Sequence, residues 1–144
     1  MSDEIIDRRT MMTRAMFAAA AAALAACSVA DLPTSPGSLA PFTLKISDYS
    51  SLSDVGGVAL VSAGDTPVAV VRTGTDVFVA LSRICPHQGA TIGVATGVAT
   101  GGFLCPRHGA QFDLGGRWTG GQRTSNMRSY AARYDAAAGT LTVG

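Results

Sequence analysis

Cys-Pro-His-Gln-Gly at residues 85–89 and Cys-Pro-Arg-His-Gly at residues 105–109 form a matched pair of short segments. Each offers one thiol and one imidazole, side chains that bind transition metals well. Each ends in a glycine, which can turn the backbone with positive φ. The chain has two histidines, and both lie close to one of these cysteines. The pattern predicts two metal-binding loops, with the candidate ligands Cys85, His87, Cys105 and His108.

Three arrangements can use these side chains. Two thiolates and two imidazoles are the ligand set of a [2Fe–2S] centre in which two His replace two Cys on one iron. The same atoms can hold one tetrahedral zinc ion, although zinc fingers usually group Cys with Cys and His with His at wider His spacing. In an oxidising compartment Cys85 and Cys105 can instead form a disulfide, which leaves both histidines without a role. The two-iron arrangement and the zinc site both use all four residues, and the Cys/His spacing favours the two-iron arrangement.

The pattern Cys-x-His…Cys-x-x-His resembles the Rieske family, and the resemblance covers residues 42–144. Phe103-Leu104 precedes Cys105 as a short apolar strand, and Gly-Ala-Gln-Phe-Asp-Leu-Gly-Gly at 109–116 is similar to the strand and glycine turn that follow the second Rieske loop. The resemblance implies a small antiparallel β sandwich or barrel with a two-loop cluster-binding subdomain. It also implies one [2Fe–2S] cluster, whose inner iron is held by Cys85 and Cys105 and whose outer iron is held by His87 and His108.

The chain departs from the Rieske subunits of cytochrome bc complexes at several positions. Those subunits carry a second cysteine in each loop, joined as a disulfide, where this chain has Ala90 and Arg107. They place serine and tyrosine hydroxyls near the cluster where this chain has Ala110 and Phe112. Their proline-rich loop is replaced by Gly-Gly-Gln-Arg at 120–123. These features are more similar to ferredoxin-type Rieske domains.

The rest of the domain predicts an all-β fold. Hairpin turns are expected at 64–65 and 73–76, with a late turn at 138–139. Residues 48–54 carry one helical turn at most, and the repeated Gly-Val-Ala-Thr at 93–101 is expected to be a loop. Short β-rich runs bounded by turn residues predict strands at 42–46, 58–62, 68–72, 77–82, 103–105, 110–113, 130–134 and 140–143.

Residues 1–30 are predicted to be an export signal. Paired arginines at 8–9 precede an alanine-rich apolar run at 15–26, which is too short to span a membrane. This arrangement resembles a twin-arginine signal, which exports folded proteins that already hold their cofactors. Ordinary secretion stays an alternative, because Asp7 precedes the pair and Arg14 interrupts the apolar stretch.

A third cysteine, Cys27, points to a membrane anchor. Leu-Ala-Ala-Cys at 24–27 is similar to a bacterial lipobox, in which the cysteine is acylated and becomes the mature N-terminus. The alternative is cleavage after Ala30, which would release a soluble protein without Cys27. Residues 31–41 are expected to form a flexible linker, so Cys27 is not expected to touch the cluster.

Composition adds no sign of a nucleic-acid partner. The 144 residues are 47% hydrophobic with a net charge of +1, which gives room for one domain and no strong charge bias. Lys45 and the arginines after residue 30 are interpreted as solvated surface.

The expected function is one-electron transfer on the outer side of a bacterial cytoplasmic membrane, between a donor and an acceptor redox protein of unknown identity. The chain is expected to be an electron carrier rather than a catalyst on its own, because a Rieske oxygenase needs a second iron held by two further histidines and a carboxylate. One alternative is an electron-transfer subunit of an exported oxidoreductase or a cytochrome bc-type complex. Another is a structural zinc-binding lipoprotein.

Overall fold

The computed structural model describes residues 38–95 and 101–144. The predicted export signal, Cys27 and most of the predicted linker lie outside the described residues, as does the second half of the Gly-Val-Ala-Thr repeat. Within the described residues the backbone forms eleven strands and two 3-10 helices, and it contains no α-helix. All strand pairs there are antiparallel. The prediction of an antiparallel all-β fold is confirmed.

Three sheets organise the described residues. The strands in chain order are β1 Phe42–Lys45, β2 Val58–Ala63, β3 Thr66–Arg72, β4 Phe78–Ser82, β5 Gly93–Val94, β6 Phe103–Leu104, β7 Gln111–Phe112, β8 Trp118–Gly120, β9 Ser129–Tyr130, β10 Ala132–Asp135 and β11 Thr140–Val143. The first sheet has the order β1-β11-β10, the second β2-β3-β4-β9 and the third β5-β6-β7-β8. Among the described residues, no helix is both long and apolar enough to cross a membrane.

Strand β3 lies between two hydrophobic cores. Because side chains alternate between the faces of a strand, Val68 and Val70 pack into a first core while Ala69 and Val71 pack into a second. All four side chains are fully buried, which explains why this strand is a continuous apolar run. The first core joins the first and second sheets, and the second core extends to the third sheet and the two predicted ligand loops.

The predicted turns are confirmed, and the differences concern short elements. Gly64, with a φ of 59°, lies in the turn between β2 and β3, and Gly139, with a φ of 64°, lies between β10 and β11. The strand predicted at 130–134 is two strands, because β9 pairs with β4 in the second sheet and β10 pairs with β11 in the first. Strand β8 was not predicted, and β5 lies at the start of the repeat at 93–101 that was expected to be a loop, because Gly93 and Val94 pair with β6. The 3-10 helix Ser50–Leu52 agrees with the expectation of one turn at most at 48–54, whereas a second 3-10 helix, Ile46–Asp48, begins at the last residue of the predicted strand 42–46.

Candidate metal centre

The two predicted ligand loops have the same backbone hydrogen bonds. In the first loop the Cys85 amide donates to the Ala90 carbonyl at 2.8 Å, and the Gly89 amide donates to the Cys85 carbonyl at 2.8 Å. The second loop repeats both bonds from Cys105 and Gly109, at 2.8 and 3.0 Å. Gly89 and Gly109 have φ values of 69° and 73°, a conformation that side chains with a Cβ rarely adopt. The glycines at the ends of the two motifs therefore have the backbone role that the sequence predicts.

The two cysteines form a buried pair. Cys85 and Cys105 are each 2% exposed and belong to the second hydrophobic core. Both thiols are free, and each thiol shifts the pKa of the other. The disulfide alternative is therefore not the arrangement that the structure shows.

Backbone amides and burial have opposite effects on the pKa of each thiol. Burial and the hydrogen bond with Cys105 raise the pKa of Cys85, although the backbone N–H groups two and three residues further on act to lower it. Burial also acts to raise the pKa of Cys105. It is outweighed by the hydrogen bond from Cys85, two backbone N–H donors and the charge of Arg107, so the pKa of Cys105 is lowered. Each loop thus directs two amide donors at its own sulfur, where they stabilise negative charge.

The two histidines form a second pair, closer to solvent. The Nδ1 atoms of His87 and His108 lie 3.1 Å apart, and the ring centroids are 4.9 Å apart at an interplanar angle of 77°. His87 is half-buried and His108 is exposed. Metal–nitrogen bonds of about 2.0–2.1 Å hold two nitrogen ligands of one ion about 3–3.4 Å apart. The spacing of the two Nδ1 atoms is suitable for two ligands on the same metal ion.

The donor set fits a two-iron centre. The structure brings the four predicted residues into one buried thiol pair and one imidazole pair, and a [2Fe–2S] centre of mixed ligation takes one such pair on each iron. A tetrahedral zinc site instead draws four ligands around a single point. The described residues contain no group of three His, Cys, Asp or Glu side chains placed to hold one metal ion.

Arg107 links the two loops, a contact that sequence analysis missed. Its Nη1 atom donates a hydrogen bond to the Gln88 carbonyl at 3.2 Å. In cytochrome bc-type subunits a disulfide cysteine occupies the position of Arg107. The loops of this chain are therefore joined by a hydrogen bond near the position at which those proteins have a disulfide bond. The missing disulfide at this position was the sequence signal from which a contact between the loops could have been predicted.

The segment at 120–123 packs against the second loop. A Cβ added to Gly121 would lie 1.8 Å from the Gly109 carbonyl oxygen, so the two backbones are in direct contact. The Trp118 indole N–H donates to the Gln122 carbonyl at 2.9 Å and holds the segment in place. The segment at 120–123 was predicted only as the replacement of a proline-rich loop, and Trp118 was not predicted to support the site. The role of Trp118 depends on a contact for which the sequence carries no local signal.

A β domain with paired thiol and imidazole loops is the class that this fold and site define. The sequence profile of the Rieske [2Fe-2S] domain matches residues 43–131, which is more than half of the chain. The chain therefore belongs to the Rieske family. Domains of this family bind one [2Fe–2S] cluster each, and Rieske proteins transfer electrons to and from redox partners.

Similar proteins include a plasma membrane Rieske protein, an oxygenase component and a monooxygenase. The oxygenase component of dicamba O-demethylase from Stenotrophomonas maltophilia is 44% identical over 54 residues, which is 37% of this chain and 15% of that protein. The plasma membrane Rieske protein PetC3 of Synechocystis PCC 6803 is 26% identical with a TM-score of 0.51, covering 60% of this chain and 85% of that one. The quaternary ammonium Rieske monooxygenase CntA, at 17% identity and a TM-score of 0.58, shares the fold over 74% of this chain and 31% of its own length.

Proposed function

We propose that Cys85 and Cys105 hold one iron of the cluster, that His87 and His108 hold the other, and that the chain is a one-electron carrier. The observation that carries the proposal is the division of the four side chains into a buried thiol pair and an imidazole pair near solvent. When bound, the cluster supplies reversible one-electron redox chemistry. Residues 42–144 form the Rieske domain in this proposal.

The residues of the chain give each pair a separate task. The second hydrophobic core keeps water away from Cys85 and Cys105, and backbone N–H groups of both loops neutralise negative charge on the sulfurs. His108 is exposed, so a partner protein can approach the imidazole pair directly. At the buried sulfurs the backbone N–H groups stabilise negative charge. The imidazole pair provides the route to a redox partner.

Export and membrane attachment complete the proposal. Residues 1–30 direct the chain across a bacterial cytoplasmic membrane, Cys27 carries the lipid anchor, and residues 31–41 link the anchor to the domain. The paired arginines and Leu-Ala-Ala-Cys at 24–27 support this, as does the similarity to a cyanobacterial plasma membrane Rieske protein. The carrier then works on the outer side of that membrane.

Coulometry on the anaerobically purified protein tests the electron-carrier function. The proposal expects a red-brown protein with two irons per chain and one reversible electron per chain, because a [2Fe–2S] centre cycles between two redox states. Stoichiometric zinc in a protein without reversible redox chemistry would favour the structural zinc alternative instead.

The similarity to an oxygenase component favours a second candidate, an electron-transfer subunit of an exported oxidoreductase. Native gel filtration of the detergent-extracted protein separates the two. The free carrier migrates as the chain alone, whereas the subunit migrates with a larger partner.

A further inference from the structure

Positive charge is concentrated in the part of the chain that contains the ligand loops. Five of the eight lysine and arginine residues in the described part of the chain lie between residues 83 and 128, against one of its six aspartates. From the sequence these arginines were predicted to be solvated surface charges. Their positions in the fold place three of them beside the two loops.

Arg107 and Arg123 lie at the second loop. Arg107 belongs to the loop, is exposed, and donates its hydrogen bond to a backbone carbonyl, which leaves its charge uncompensated by that bond. Arg123 is also exposed and lies two residues after Gly121, whose backbone contacts Gly109 next to His108. Both arginines therefore belong to segments that lie at the second loop.

Arg128 lies at the first loop, on the wall of a cleft of about 770 Å³. The cleft also involves Cys85, Pro86 and Ile84, and the Ile84 side chain is 46% exposed. An apolar centre with a polar, charged rim is the usual composition of a protein–protein interface. We call Arg107, Arg123 and Arg128 the arginine rim.

We propose that this surface is the docking site for a redox protein that presents an acidic patch, seated on the arginine rim beside the exposed His108. This inference rests on the proposed electron-carrier function, since it concerns the route by which electrons leave or enter. Complementary charges raise the rate of encounter and fix the orientation of the two proteins. Orientation matters here because the imidazole pair is the part of the centre that a partner can approach.

Two variants of equal net charge separate local from global electrostatics. Arg123→Gln/Arg128→Gln removes two charges of the arginine rim and leaves Arg107 and the ligands unchanged. Lys45→Gln/Arg133→Gln removes two exposed charges from β1 and β10 of the first sheet. Iron content and midpoint potential are measured first and are expected to match the wild type in both variants.

Stopped-flow oxidation of the reduced holoprotein by plastocyanin, an acidic copper protein, is the test, with basic mitochondrial cytochrome c as the opposite probe. We expect the rim variant to react with plastocyanin about three- to tenfold more slowly than the wild type at low ionic strength. We expect the first-sheet variant to change less than about twofold. The difference should vanish near 1 M salt, where the Debye length is about 3 Å. With cytochrome c the rim variant should be as fast as the wild type or faster.

Equal losses in both double variants would overturn the proposal, because net charge alone would explain them. Rim-dependent binding to phosphatidylglycerol vesicles together with an unchanged plastocyanin rate would also overturn it, in favour of a lipid surface. A wild-type protein without iron or reversible redox chemistry would instead refute the electron-carrier function. A loaded, redox-active protein without the charge effect refutes only the docking site.

Discussion

Single residues around the sulfurs determine how the reduced centre is stabilised. Backbone N–H groups are directed at both thiols, but the side chains that follow the second loop, Ala110 and Phe112, are buried and carry no hydroxyl. Hydrogen bonds to sulfur stabilise the extra negative charge of a reduced cluster and raise its potential. At this scale the chain offers amide donors and lacks the two hydroxyl donors of cytochrome bc-type subunits.

Replacing one buried thiol should remove the cluster. Cys105→Ser is expected to reduce iron to near zero per chain and to abolish the visible absorption. It should also lower the thermal unfolding midpoint, because cluster binding contributes to folding; each kcal/mol lost corresponds to about 4–8 °C. Cys27→Ser is the control and should retain full iron. Full iron in the Cys105 variant would show that the proposed ligand set is wrong.

The absence of the two hydroxyls predicts a potential in the lower part of the Rieske range, which spans roughly −150 to +300 mV. A charge-assisted hydrogen bond of about 1.5–3 kcal/mol corresponds to roughly 65–130 mV for one electron if it acts only in the reduced state. Ala110→Ser/Phe112→Tyr should therefore raise the midpoint by part of that amount in protein-film voltammetry. A wild-type midpoint above about +200 mV, or no rise in a fully loaded double variant, would contradict this account.

The two ligand loops have the same backbone hydrogen bonds, but the histidine lies one position later in the second loop. Both loops close with the same two hydrogen bonds, yet the histidine is the third residue of the first loop and the fourth of the second. Where the other loop has its histidine, the first loop has Gln88 and the second has Arg107. The Arg107 side chain donates a hydrogen bond to the Gln88 carbonyl across the loops. The segment around Gly121 then packs against the second loop.

Gly121→Ala tests the importance of that packing. A Cβ would meet the Gly109 carbonyl oxygen at 1.8 Å in a residue with a φ of 68°, so the second loop has to move. Gly64→Ala is the matched control, since its φ is 59° but a Cβ there would meet nothing within 4 Å. We expect the control to cost about 1–2 kcal/mol for the left-handed conformation. Gly121→Ala should cost more and should also speed the loss of the visible cluster spectrum on heating. Equal behaviour of the two variants would show that the contact is unimportant.

The elements that could be predicted from the sequence are those whose signal lies in adjacent residues. The ligand loops carry their chemistry in adjacent residues, and the β2–β3 hairpin has a turn at Gly64. Strands β5 and β8 have only two and three residues, which is too short for a periodic pattern. The break between β9 and β10 arises from their pairing with different sheets. Such pairing, like the Arg107 hydrogen bond to the first loop, depends on residues far apart in the chain.

The whole molecule, as proposed, combines a folded cluster domain with a membrane anchor. The domain must load its cluster before crossing the membrane if the twin-arginine route is used, since that route carries folded proteins. A lipid-modified Cys27 would then keep the carrier at the membrane surface, each buried methylene adding about 0.8 kcal/mol.

Mass spectrometry of the native N-terminus tests the anchor. We expect the mature chain to begin at an acylated Cys27, and Cys27→Ser to move the protein from the membrane to the soluble fraction while it keeps its iron. A mature chain that begins at Asp31 would show that the signal is cleaved after Ala30 and that the carrier is released.

Pulsed EPR on protein labelled with ¹⁵N-histidine tests whether His87 and His108 bind the cluster. The chain contains two histidines, so every ¹⁵N coupling to the reduced cluster must come from His87 or His108. We expect couplings from two histidine nitrogens in a protein with two irons per chain, because the two Nδ1 atoms lie 3.1 Å apart, a spacing suitable for two ligands of one iron. A reduced cluster without histidine coupling would contradict it.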